Sequence, residues 1–152
     1  MTKTIITNSP EETIELASRM SGNLTEGDFI ALEGELGTGK TVFVKGMARG
    51  LGVKDHLYVN SPSFVIIKEY HGEKDLYHLD VYRLEQKDFS ESVDWERYFY
   101  DKGITVVEWA DKIKDLFPDE YLEIKINHED LTKRRFEFLA VGERYEGIVE
   151  NL

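Results

Sequence analysis

The chain predicts an α/β fold, a central mixed sheet flanked by helices in a single domain, and three observations carry that expectation. A short apolar run, Asp28-Phe29-Ile30-Ala31-Leu32-Glu33, passes through a glycine-rich stretch into a helical pattern over residues 40–51. A second run of the same buried type, Ile104-Thr105-Val106-Val107-Glu108-Trp109, returns far along the chain. Two pairs of β-rich runs, over residues 65–83 and 120–141, read as antiparallel hairpins. Continuous apolar runs suit parallel strands covered on both faces, whereas alternation suits strands nearer an edge. The expected sheet is therefore parallel near the glycine-rich loop and antiparallel at its edge. At 152 residues the chain suits one domain with a sizeable core.

Taken in order, Thr4-Ile5-Ile6 is a short strand candidate. Ser9-Pro10-Glu11-Glu12 then opens a helix, with Ser9 at the N-cap, Pro10 in the first turn and Glu12 completing a capping box. Ile14, Ala17 and Met20 share one face, and Gly22 ends the helix. Gly50 and Gly52 stand where the loop helix needs its C-terminal cap. Residues 65–70 and 75–83 flank the turn His71-Gly72-Glu73-Lys74, and Phe89, Val93 and the 95–100 cluster predict one amphipathic helix. Residues 110–117 read as a short helix stopped by Pro118, and residues 120–126 and 135–141 as the second hairpin.

Gly34-Glu35-Leu36-Gly37-Thr38-Gly39-Lys40-Thr41 fits the phosphate-loop pattern G-x-x-x-x-G-K-[ST], with the strand before it and the helix after it that the chemistry requires. The fold expectation is thus P-loop NTPase-like. Glycines let the backbone curl so that its amides converge on phosphate oxygens. The helix start adds roughly half a positive charge. Lys40 supplies a full cation for the β- and γ-phosphates, and the Thr41 hydroxyl is a Mg²⁺ ligand candidate.

Phosphoryl transfer also needs an acid for the metal and a group to orient the attacking water. Glu108, ending an apolar run, is the first choice for the metal side. Asp80, in His78-Leu79-Asp80-Val81-Tyr82-Arg83, is assigned to orienting water or to supporting the metal, because aspartate is depleted within strands. His78 alone says little. Arg83 suits a phosphate contact or a structural ion pair equally. Ser61-Pro62-Ser63-Phe64 reads as a proline-bearing turn, with a switch-like segment as the alternative.

With 19 basic and 30 acidic side chains the net charge is −11, which argues against tight direct binding to nucleic acid. The absence of cysteine excludes disulfides and cysteine-ligated zinc. No stretch has the apolar length of a membrane span, so the expected setting is cytoplasmic.

The phosphate loop, then Ser61-Pro62-Ser63-Phe64, His78-Leu79-Asp80-Val81-Tyr82-Arg83 and Val107-Glu108-Trp109, in that order, resemble the TsaE (formerly YjeE) family, bacterial ATPases of tRNA threonylcarbamoyladenosine biosynthesis. Ser63 replaces a common threonine and keeps the hydroxyl. The resemblance implies ATP or ADP and Mg²⁺ as ligands and TsaD and TsaB as partners, with tRNA reached only through them. It implies that hydrolysis resets the partner complex between rounds. It further implies that Gly37, Thr38, Gly39, Lys40, Thr41 and Val42 bind phosphates, and that Trp109 lies near the nucleotide. Ser9, Lys133 and Arg134 border the adenine end on this reading, although Lys133-Arg134-Arg135 also suits a plain hairpin tip.

Two other classes share the loop. A small-molecule kinase needs an acceptor pocket and usually an arginine-bearing lid, and no glycine-bounded insertion supplies one. A nucleotide-sensing module would keep the loop without useful turnover. A GTPase is disfavoured because neither an Asn-Lys-x-Asp nor an Asp-x-x-Gly motif follows.

Overall fold

The computed structural model describes residues 1–60, 67–100 and 102–152. Its strands are β1 (Thr2–Thr7), β2 (Phe29–Glu33), β3 (Ile67–Tyr70), β4 (Leu76–Asp80), β5 (Ile104–Glu108), β6 (Tyr121–His128) and β7 (Arg134–Val141). The helices are α1 (Pro10–Ser21), α2 (Lys40–Gly50), α3 (Gln86–Ser92), α4 (Trp95–Tyr100) and α5 (Glu143–Glu150). The strands form one sheet in the order β1-β7-β6-β2-β5-β4-β3. β2 is parallel to both β5 and β6, β4 is parallel to β5, and the pairs β3–β4, β6–β7 and β1–β7 are antiparallel. The expected division between a parallel centre and antiparallel edges holds.

Alternation along the central strands divides the core. Ile30, Leu32, Ile104 and Val106 face a layer that includes Leu16, Met20, Phe43 and Met47 of α1 and α2 and Ile148 of α5. Phe29, Ala31, Leu79 and Val107 face Phe89, Phe99 and Ile113 on the other side. Each fully buried Phe, Leu or Ile contributes roughly 1.5–3 kcal/mol. Gly46 lets α2 lie directly on α1: a Cβ there would stand 2.5 Å from the Ile14 carbonyl oxygen and 2.6 Å from the Ala17 Cβ. No helix among the described residues is long and apolar enough to cross a membrane.

Several elements differ from expectation. The strand expected over residues 75–83 stops at Asp80, whose Oδ1 accepts the Tyr82 N–H at 2.9 Å and so turns the chain. Asp80 therefore sits at a strand end, not in mid-strand. The single helix expected over residues 89–100 is two, α3 and α4, because Val93 is extended, the backbone that branched residues favour. Ala110–Leu116 is 3₁₀, with Ile113 breaking its helical geometry. Glu12 reaches the Asn8 N–H at 2.6 Å instead of the Ser9 amide, although the Ser9 hydroxyl does accept the Glu12 N–H at 3.2 Å. Leu51 rather than Gly50 caps α2, with Gly52 at φ +77 and the Val53 N–H returning to the Ala48 carbonyl. Residues 61–66, which hold Ser61-Pro62-Ser63-Phe64, lie outside the described residues.

The unanticipated α5 fastens the base of β2. The Phe29 N–H donates to the Tyr145 hydroxyl at 2.8 Å, and the Arg144 guanidinium meets Asp28 at 2.6 Å. Burial, in turn, holds the Tyr145 hydroxyl well above the usual phenol range.

Candidate functional site

The C-terminal ends of β2, β5 and β4 meet beside one another, where open α/β sheets place their ligands. From β2 the chain enters the glycine-rich loop, in which Gly37 and Gly39 take φ of +78° and +102°. A Cβ on either would meet nothing within 4 Å, so open space adjoins the loop backbone. Gly39 caps α2 without a side chain, and no acid stands in the first helical turn. The leading amides and the positive end of the helix dipole are therefore left to an anion.

Lys40 opens α2 and is only 6 % exposed. Its ammonium donates to the carbonyls of Gly34 and of Glu35, the latter at 2.8 Å, and lies 4.3 Å from the Trp109 ring centre. Burial lowers its pKa from the usual lysine range, while the carboxylates of Glu108, Asp80 and Glu35 oppose that shift. The cation is thus held against the loop by neutral oxygens and a π face, with carboxylates close enough to be felt.

Two of those carboxylates, Glu108 and Asp80, are brought in by register. Glu108 ends β5 between Leu32 of β2 and Asp80 of β4, its cross-strand partners. It is 2 % exposed and accepts a hydrogen bond from His78 Nε2. Asp80 is 7 % exposed. Trp109, the one described non-glycine residue with positive φ (+61°), follows Glu108 and donates its N–H to the Leu32 carbonyl at 3.1 Å. That conformation swings its ring against Tyr82, with centres 4.7 Å apart. A cavity of about 630 Å³ results, whose walls include Gly37, Gly39, Lys40, Thr41, Asp80, Arg83, Glu108 and Trp109. The hard oxygens of Thr41 and Glu108 suit Mg²⁺, and the open amides suit phosphate.

A second cavity of about 320 Å³ shares Gly39 and Val42 with the first and is bordered by Asn8, Ser9, Pro10, Leu131, Thr132 and Arg134. Ser9 thus stands beside the loop, whereas Lys133 is not among the lining residues. Arg134 lines this cavity and donates to the Thr38 carbonyl at 3.0 Å, tying the last hairpin to the loop. Thr38 is buried, its hydroxyl donating to the Glu35 carbonyl at 2.8 Å. Among the described residues, Gly37, Lys40, Thr41, Asp80, Arg83, Glu108 and Trp109 line the larger cavity, Ser9 and Arg134 the smaller, and Gly39 and Val42 both, whereas Thr38 and Lys133 line neither. What sequence reasoning missed is the His78–Glu108 pair, for which the only signal was a polar ring at alternating spacing from Asp80.

The family model for the threonylcarbamoyl adenosine biosynthesis protein TsaE matches residues 7–136. The chain is 46 % identical over 147 residues to the tRNA threonylcarbamoyladenosine biosynthesis protein TsaE of Bacillus subtilis (strain 168), covering 96 % of this chain and 90 % of that one. It is 40 % identical over 134 residues to the protein of the same name from Aquifex aeolicus (strain VF5), with 88 % and 94 % covered. Among solved structures, the crystal structure of Bacillus subtilis YdiB superposes with a TM-score of 0.83 at 38 % identity, covering 99 % of this chain and 93 % of that one.

Proposed function

This chain belongs to the TsaE family, and we propose that it serves tRNA threonylcarbamoyladenosine biosynthesis as a Mg²⁺-dependent ATPase, slow alone and working with the TsaB–TsaD pair. The observation that carries this reading is the convergence of Lys40, Thr41, Asp80 and Glu108 on one cavity beside an uncapped helix start. The triphosphate tail lies in the larger cavity. The base lies across Gly39 and Val42, in the smaller one bordered by Ser9 and Arg134.

In this reading the amides of residues 37–42 bind the phosphates and Lys40 leaves its carbonyl partners to neutralise them. Thr41 and Glu108 hold Mg²⁺, which draws charge from the phosphate oxygens when bound. Asp80 orients the attacking water, a role its position at a strand end beside Glu108 permits. The Trp109 ring, already against Lys40, reports on occupancy. The net charge of −11 agrees with tRNA being held by the partners.

Two measurements test this together. Trp109 emission, isolated in a Trp95→Phe background, should change on adding ADP with Mg²⁺. ATP turnover should be low for the chain alone and rise when TsaB and TsaD are added. A flat emission titration with no turnover in either mixture would remove the reading, whereas binding without partner-stimulated turnover would turn it into a nucleotide sensor.

A further inference from the structure

His78 lies in β4 with no exposed surface, and Glu108 at the end of β5 is almost as deeply covered. Across these parallel strands His78 pairs with Val106 and Asp80 with Glu108, so His78 and Glu108 are diagonal neighbours on one face. Nε2 of the ring meets Oε2 of the carboxylate. With the carboxylate ionised, it can only accept, which puts the bridging proton on Nε2. Nδ1 is buried and has no hydrogen-bond partner among the described residues. A buried imidazole kept for the fold alone normally satisfies both nitrogens. Among the described residues, the polar contact of this ring is with Glu108.

Glutamate has three side-chain torsions, and a nearly covered carboxylate without a partner is costly. The histidine removes both difficulties. It holds Oε2, while the residue remains part of the wall shared with Lys40, Thr41 and Asp80. We infer that His78 is a positioning residue, which fixes the Glu108 carboxylate for the magnesium–nucleotide complex through its Nε2–H. This rests on the assignment of Glu108 to the metal.

The test is a Mg²⁺ titration at fixed ADP, followed by Trp109 emission, with parallel ADP binding in EDTA. It compares the unaltered chain with His78→Phe, His78→Gln, Glu108→Gln and the double variant His78→Phe/Glu108→Gln. Removing a supporting partner of this kind typically weakens metal binding about 10–100-fold. His78→Phe should therefore raise the Mg²⁺ requirement by about tenfold or more and leave ADP binding in EDTA unchanged. The amide of His78→Gln should restore most of the loss, and Phe should add nothing once Glu108 is Gln. Normal Mg²⁺ dependence in His78→Phe, with loss in Glu108→Gln, would overturn the role of His78. So would losses that add in the double variant. Normal dependence in Glu108→Gln would instead overturn the metal assignment beneath it. Should circular dichroism show His78→Phe unfolded, the unaltered chain decides, with its four histidines labelled with ¹⁵N. The His78 Nε2 resonance, identified by its absence in His78→Gln, should move with ADP plus Mg²⁺ and stay with ADP in EDTA. A resonance equal in both overturns the inference.

Discussion

At the level of single residues, the Lys40 ammonium is the cation most deeply committed to the pocket, and its loss cannot be made up by the loop amides alone. Lys40→Ala should weaken ADP binding by about 2 kcal/mol or more, the scale of a lost charge-assisted hydrogen bond, when followed by calorimetry. Asp80→Ala should leave ADP affinity nearly unchanged and lower partner-stimulated turnover by about 10²-fold or more. Unchanged turnover would take Asp80 out of the mechanism. Glu33, at the end of β2, gives a pH prediction. Its carboxyl is pushed up to about 6 from 4.5, first by burial and then by Glu123 and Asp111, against Lys125 and Lys114. A raised carboxyl pKa favours the fold below about pH 4.5, and that contribution disappears as pH rises through about 6. Glu33→Gln should thus be more stable than the unaltered chain near neutral pH, by about 1 kcal/mol after allowance for its partial exposure, and should lose that advantage near pH 4. Urea midpoints at the two pH values read this directly.

At the level of elements, Gly46 sets how closely α1 and α2 approach. Gly46→Ala gains about 1 kcal/mol of helix propensity, yet its methyl would meet the Ile14 backbone and the Ala17 side chain. The clash should win, with a net loss of about 1–3 kcal/mol in chemical denaturation. A stabilised variant would show that the two helices separate freely. This contact also marks where sequence reading runs out. The phosphate loop, β2 and β5 were legible because their signals are local: glycine spacing, an apolar run and a helical period. The break at Val93 was not, because one extended residue between two aromatic clusters leaves the apolar period nearly intact. Helix α5 was missed because its buried stripe is only Tyr145, Ile148 and Val149 among glutamates. The meeting of Asp80 and Glu108 could be expected from chemistry, but the His78–Glu108 bond depends on strand register across 30 residues. The Thr38–Arg134 bond likewise depends on where the last hairpin folds back, and no spacing rule reveals either.

At the level of the whole molecule, thirty acidic side chains against nineteen basic ones surround the Lys40 ammonium and the open start of α2 with a negative field. The chain alone should therefore leave tRNA unshifted in a gel at about 0.15 M salt, and a retained complex should form only with TsaB and TsaD present. A tight, salt-sensitive shift by the chain alone would contradict the division of labour proposed above.

The fastening of β2 by α5 has a consequence of its own. The amide of Phe29 donates to a hydroxyl 116 residues later, at the end of the strand opposite the glycine-rich loop. Deuterium should therefore enter Phe29 slowly in the intact protein and much faster in a Tyr145→Phe variant, which leaves that amide without an acceptor. The strand that delivers the loop would then breathe from its foot, and the pocket would feel a change in the tail without any of its own atoms having been altered.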